Sequence, residues 1–253
     1  MGSRLSGLVG LFENLHWVPD TAARDALLDN LTHVRGPTVV SFLNAHGVNL
    51  AWKLESFRED LAASDLCLRD GIGVKIGMRW LGRDPGLNMN GTDFIPLLVD
   101  AFRGRRVALM GTRNPALGES AQIFATRSGV EIVAALDGFR DTKAYIECAQ
   151  RFEPELILLA MGMPKQEAVA RELAAQLKHP CVIVNGGAIL DFVSGQVQRA
   201  PEWVRRMGAE WVWRLGTEPA RLWRRYLVGN VSFLWRVGLA SANQRFAAIR
   251  QRS

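Results

Sequence analysis

Cysteine is scarce in this chain, and Cys67, Cys148 and Cys181 are scattered, with no CxxC pair and no histidine at metal-ligand spacing. That excludes a disulfide framework and a zinc module, and it fits a reduced, cytoplasmic protein whose three thiols are core residues. No uninterrupted apolar run approaches the ~18 residues needed to span a bilayer. The N-terminus Met1-Gly2-Ser3-Arg4-Leu5 lacks the long apolar core and cleavage site of a signal peptide. There is no Asp-x-Asp pair, so no divalent metal is expected to balance an anionic ligand. A true dinucleotide fingerprint is missing as well. Gly71-Ile72-Gly73-Val74-Lys75-Ile76-Gly77 places its third glycine one residue late and lacks a full βαβ unit around it.

What the chain does have is unevenly distributed. Its 253 residues, 48% hydrophobic, suffice for one large domain or a domain with an appendage. From Arg199 onward stand eleven arginines and no lysine against Glu202, Glu210 and Glu218, a charge of +8, whereas residues 1–198 hold 20 basic and 22 acidic side chains, a charge of −2. Trp203, Trp211, Trp213, Trp223 and Trp235, five of the eight tryptophans, lie in the same tail. Tryptophan beside arginine suits a membrane interface, where each cation near an anionic leaflet contributes about 1 kcal/mol. The expected partner of the tail is therefore a membrane surface, and nucleic acid is its competitor.

Along the chain, residues 1–19 suggest a short hairpin or ordered arm around Leu8 to Trp17. Helical spacing and a capping Asp20 predict a helix to Leu31, stopped by Gly36-Pro37. Thr38 to Leu43 reads as a buried strand opening into Asn44-Ala45-His46, followed by a helix to about Ala63. Asp65 to Arg69 is a second short strand that delivers Asp70 into a glycine turn. From Arg105 strands and helices alternate regularly, with strands at 107–110, 130–136, 156–160 and 181–184. This pattern predicts a Rossmann-like, doubly wound, mostly parallel α/β sheet. Four turns, at Gly111-Thr112-Arg113-Asn114, Asp137-Gly138-Phe139-Arg140, Gly162-Met163-Pro164-Lys165-Gln166 and Asn185-Gly186-Gly187, then fall at strand C-terminal ends, where such sheets bind nucleotides.

Several residues have two readings. Asp70 either caps the following helix or serves a site at the strand end. Lys165, just inside the helix begun by Pro164, is either a solvated lysine or a diphosphate ligand, and Gln166 can both donate and accept, as a uracil edge or a sugar hydroxyl requires. Arg199 stands between a glycine turn and a helix begun by Pro201, a place suited to anions. His46 is either a packed histidine or a contact. Arg214, Arg221, Arg224 and Arg225 fall at i, i+7, i+10 and i+11, on one helical face unless Gly216 and Pro219 break the helix. Asp93 and Asp191 are read as caps or internal acceptors, without a catalytic part.

The run from Gly186 to Leu227, together with Asp70-Gly71-Ile72-Gly73-Val74, Asn90-Gly91-Thr92-Asp93 and Gly162-Met163-Pro164-Lys165-Gln166-Glu167 in the same order, resembles the WecG/TagA/CpsF family of bacterial glycosyltransferases. That family, glycosyltransferase family 26, includes N-acetylmannosaminyl transferases of wall teichoic acid and enzymes of capsule and exopolysaccharide assembly. The resemblance implies Asp70 as general base and Asn44 as its companion, although Phe42 stands where the family has threonine, leaving that hydroxyl contact to Ser41 or His46. It also implies that a C-terminal segment closes over the site on the membrane, its arginines serving both the membrane and the leaving diphosphate.

The expectation is a core over residues 1–198 and an Arg/Trp-rich helical appendage over 199–253. The protein would transfer, with inversion, a glucose- or N-acetylmannosamine-type sugar from a UDP-sugar to a polyprenyl-diphosphate-linked saccharide at the cytoplasmic face of the inner membrane. Asp70, Asn44, Arg214, Arg221, Arg224 and Arg225 would carry the chemistry. Gly111, Thr112, Asp137, Gly138, Gly162, Pro164, Lys165, Gln166, Gly186, Gly187 and Arg199 would hold the nucleotide sugar, with no cofactor, metal or nucleic acid involved. A second copy of the chain is a further candidate partner. The rival readings are a nicotinamide-binding oxidoreductase on the same sheet and a non-enzymatic membrane or nucleic-acid adaptor.

Overall fold

Six apolar runs become six strands. The computed structural model describes the backbone of residues 2–250 and the side chains of residues 4–220 and 222–244. The chain opens with helices α1 (Gly2–Glu13) and α2 (Thr21–Leu31), then β1 (Pro37–Leu43), α3 (Ala45–Lys53), α4 (Glu55–Ala62) and β2 (Leu66–Arg69). Helices α5 (Gly71–Trp80) and α6 (Gly91–Ala101) lead into β3 (Arg106–Gly111), α7 (Ala116–Ile123), β4 (Glu131–Leu136) and α8 (Thr142–Phe152). Next come β5 (Leu156–Ala160), α9 (Lys165–Gln176) and β6 (Cys181–Asn185). The remainder is helical: α10 (Ile189–Val193), α11 (Glu202–Arg206), α12 (Glu210–Thr217), α13 (Pro219–Trp223) and α14 (Gly229–Arg250). π-helical turns follow α7 and α13, at Phe124–Ser128 and Arg224–Val228.

The strands form one sheet in the order β2-β1-β6-β5-β3-β4, and every pairing is parallel. From β1 the chain winds outward to β2 at one edge, and from β3 it winds outward to β4 at the other. The central strands β6 and β5 therefore sit between two windings that diverge, the arrangement that opens a crevice at the strand C-terminal ends. Both faces are covered. Val40, Phe42, Leu109, Leu158 and Val184 pack with α2, α6 and α7, while Val39, Met110, Leu159 and Ile183 pack with α8 and α9. This two-sided burial is why the strands read as continuous apolar runs. Cys67, Cys148 and Cys181 are free and buried, as expected of core thiols.

At the N-terminus the expected hairpin or arm is instead α1, followed by a single bridge from Leu15 to Cys67 at the sheet edge. Leu5, Leu8, Leu11 and Phe12 line one side of this helix and are buried with Phe57 of α4, Met78 of α5 and Phe233, Val237 and Ala240 of α14. The helix draws its stability from those distant partners, and its glycines Gly2, Gly7 and Gly10 conceal it locally.

The tail breaks where Gly216 and Pro219 predicted. Helix α12 ends at Thr217, Glu218 leaves the helical region and Pro219 begins α13. Among the described residues no helix is long and apolar enough to cross a membrane.

Gly111 shows how tightly the central strand ends approach. A Cβ there would lie 2.2 Å from the carbonyl oxygen of Ala160, an atom that Thr112 N–H already binds at 3.0 Å. Gly111→Ala is expected to cost about 1–3 kcal/mol by overpacking, lowering Tm by roughly 2–4 °C per kcal/mol in a chain of this size. Differential scanning calorimetry checks it, and an unchanged Tm would mean that the β3 and β5 ends can part freely.

Candidate active site

Parallel pairing of β1 with β2 sets Leu43 opposite Arg69, so the residues that leave the two strands, Asn44 and Asp70, emerge side by side. Asp70 N–H donates to the Leu43 carbonyl at 2.9 Å. The Asn44 amide is oriented by two bonds: its Oδ1 caps α3 by accepting from Gly47 N–H at 3.0 Å, and its Nδ2 donates to Asp70 Oδ2 at 3.2 Å. Asp70 makes no side-chain cap to α5, which removes the capping alternative. Burial raises the Asp70 carboxyl above the ordinary aspartate range, outweighing the downward pulls of the Asn44 bond and of Arg225, Arg69 and Arg214. Arg69, itself buried, clamps the loop beyond α5 through the carbonyls of Pro85 and Gly86 at 2.8 and 3.0 Å, a role the sequence did not announce.

These two residues lie in an open cleft of about 1070 Å³ across the strand ends. The β3, β5 and β6 turns contribute Thr112, Gly162, Gly186 and Gly187, the β4 turn Gly138, and the tail Arg214, Arg224 and Arg225. Gly162 and Gly187 have φ of +77° and +60°, which suit glycine. Gln166 braces these two turns, its Oε1 accepting from Gly162 N–H at 3.1 Å and Gly187 N–H at 3.0 Å. Its Nε2 donates to Glu167 Oε1 at 2.9 Å, so its amide is occupied within the protein. Glu167 is a buried carboxyl pushed up to about 7 by burial, with the Gln166 bond pulling the other way. Sequence gave it no role; a glutamate flanked by the motif glutamine and an apolar helix face was the available signal.

Other expected nucleotide ligands are also engaged internally. Lys165 Nζ donates to the Gly138 and Arg140 carbonyls, both at 2.9 Å, and holds the β4 turn closed. Asp137 accepts from Phe139 N–H and Arg140 Nε within its own turn. Thr112, at φ +42°, donates to Asp191 Oδ1 at 2.6 Å, which makes Asp191 the internal acceptor anticipated for it. Gly111 and Pro164 shape their turns from outside the cleft lining. Arg199 donates to Asp93 Oδ1 at 2.7 Å, with Glu210 3.9 Å away, and lines a smaller cavity of about 340 Å³ beside the cleft. It ties the segment after β6 to α6.

In the tail, Arg214 lies over the Phe192 ring at 5.2 Å and Arg224 over Trp223 at 5.2 Å. Arg225 makes its charge felt at both Asp70 and His46. The Arg221 side chain lies outside the described residues. Of the two substitutes for the missing threonine, Ser41 is fully buried and hydrogen-bonded to Ser64 and Asn185, while His46 reaches the cleft beside Phe42. Among the described residues no group of three or more His, Cys, Asp or Glu side chains is placed to hold a metal.

A protein named N-acetylglucosaminyldiphosphoundecaprenol N-acetyl-beta-D-mannosaminyltransferase, from Bacillus spizizenii, is 31% identical over 171 residues, 66% of each chain. Its namesake from Bacillus subtilis is 28% identical over 193 residues, 75% of each chain. The profile of the glycosyl transferase WecG/TagA/CpsF family matches residues 15–247, a span that takes in the Asn44 and Asp70 strand ends, the four glycine turns and nearly all of the tail. The chain belongs to that family.

Proposed function

We propose that this protein is an inverting glycosyltransferase that moves a glucose- or N-acetylmannosamine-type sugar from a UDP donor to a polyprenyl-diphosphate-linked saccharide. One observation carries the reading: a carboxylate of raised pKa, aimed by Asn44, stands in a parallel-sheet crevice beneath tail arginines. Asp70 takes the proton of the acceptor hydroxyl as that oxygen forms its bond to the anomeric carbon on the face opposite the departing UDP. Asn44 holds the carboxylate at the correct angle. The diphosphate leaves against the amides of the glycine turns and the guanidiniums of Arg214 and Arg225, which oppose the charge developing on it. The names of the Bacillus relatives support an undecaprenyl-diphosphate acceptor and an N-acetylmannosaminyl group.

Asp70→Asn should retain UDP affinity in calorimetry while transfer falls by at least about 10²-fold. A general base works deprotonated, and a raised pKa moves its protonation to higher pH. The acidic limb of kcat/KM against pH should therefore lie above the ordinary aspartate value of about 3.9. Near-full turnover of Asp70→Asn would remove Asp70 from the chemistry. A panel of UDP-sugars ranked by thermal stabilisation identifies the donor, since ligand at 100 times its Kd stabilises by about 2.7 kcal/mol.

The tail supports a peripheral seat on the cytoplasmic face of the inner membrane. Trp203, Met207, Val231 and Trp235 are each at least 65% exposed, set among arginines on helices none of which, among the described residues, is long and apolar enough to cross a membrane. Truncating from Glu218 would strip Phe233, Val237 and Ala240 from the core, so point changes are the sound probe. Trp235→Ser should weaken binding to anionic vesicles about tenfold or more, the loss of one buried aromatic, with thermal unfolding unchanged. Flotation assays measure it, and undiminished binding would place the membrane contact elsewhere.

A further inference from the structure

The cleft has two dissimilar ends. At one, the glycine turns offer backbone amides with Thr112 and Asp191, and Arg214 stands over Phe192. The other is a slot between two helical walls. Helix α3 turns His46, Asn49, Leu50 and Lys53 into it at i, i+3, i+4 and i+7, and the tail returns Arg225, Val228, Gly229, Ser232 and Arg236. Asn49 fastens the walls together. Its Nδ2 donates to the Gly229 carbonyl at 2.7 Å, and its Oδ1 accepts from Arg236, whose guanidinium also lies 5.4 Å over the Trp52 ring.

The slot is an anion site by its charge. Lys53, Arg225 and Arg236 are cations, and the carboxylates that line the whole cleft are Asp70 and Asp191. Among the described residues neither Lys53 nor Arg236 has a carboxylate within ion-pair distance. Burial, with the charges of Arg225 and Lys53, lowers the His46 imidazole to about 4, so at pH 7 it is neutral and offers one donor and one acceptor.

A reaction between a nucleoside diphosphate sugar and a diphosphate-linked acceptor brings two diphosphates to one cleft, and each needs its own countercharge. We propose that the slot is the acceptor subsite, in which Lys53 and Arg236 bind the diphosphate joining the acceptor saccharide to its polyprenyl chain. This rests on the proposed function, which places the donor at the glycine turns. The geometry suits a molecule laid through the slot. Inward lies Asp70, which must meet the saccharide hydroxyl, and Arg225 marks the junction by acting on both Asp70 and His46. Outward, the same tail segment exposes Leu227, Val231 and Trp235 at four-residue spacing, an apolar stripe for the polyprenyl chain beside the cationic one.

The test uses the full chain with farnesyl diphosphate as a soluble polyisoprenyl diphosphate, titrated calorimetrically in the presence of saturating UDP. It is expected to bind alongside UDP, and Lys53→Gln, at an exposed position that leaves the fold intact, should weaken it about five- to tenfold, with Arg236→Gln acting in the same direction. In transfer assays the same variants should raise KM for a short-chain acceptor by a similar factor without moving KM for the donor. Competition between farnesyl diphosphate and UDP, or a rise in donor KM instead, would overturn the subsite. So would a Lys53→Gln variant that loses affinity for phosphatidylglycerol vesicles while binding farnesyl diphosphate normally, since the cation would then serve the membrane surface. Absence of transfer from every UDP donor would sink the proposed function, and the calorimetric arm would still decide the slot.

Discussion

The site depends on strand register. Parallel pairing that sets Leu43 against Arg69 makes the next residue of each strand a neighbour of the other, so an amide and a carboxylate 26 residues apart meet without any loop having to search for the contact. A slip of one residue would turn Asn44 and Asp70 to opposite faces of the sheet. Apolar packing on both sheet faces fixes the register, and the hydrophobic core thereby determines where the polar pair stands. The Asn44 amide then has no freedom left, since its carbonyl is committed to capping α3 and its nitrogen to Asp70.

The sheet was legible because both its faces are buried: runs such as Val39 to Leu43 and Leu156 to Ala160 are unbroken by polar residues apart from Ser41, and glycines or caps bound them. Asn44 and Asp70 were legible for a related reason, as polar residues at abrupt strand ends. What escaped was everything set by partners remote in sequence. Helix α1 carries three glycines and is held by Phe57 and Phe233, neither of which a local window contains. Lys165 and Gln166 have the chemistry of ligands, but the Gly138 carbonyl and the Gly162 and Gly187 amides reach them first. Residue type announces what a side chain can bind, and only the fold determines which partner arrives.

Those internal commitments have a purpose in the cleft. Turns that present amides to a diphosphate must hold their shape with the ligand absent, or the cost of ordering them is charged against binding. Gln166 ties the β5 turn to the β6 turn, Lys165 closes the β4 turn, and Thr112 with Asp191 joins the β3 turn to α10. Preorganisation here is a set of cross-links between neighbouring turns, with a buried glutamate behind the central one.

The union of α1 with α14 bears on the order in which the molecule can form. Residues of α1 and α14, far apart in sequence, share one apolar cluster, so α1 can pack early on α3, α4 and α5 but its buried face is not fully covered until α14 has joined it. The sheet can assemble earlier from contacts between successive units, but closing that final cluster spans nearly the whole sequence and carries the loop-closure penalty of doing so. The slot wall built by the tail is completed in the same step. A chain holding the finished sheet without this segment would possess the glycine turns and Asp70 while still lacking Arg225 and Arg236, so a segment that follows the sheet in sequence supplies the second side of the cleft.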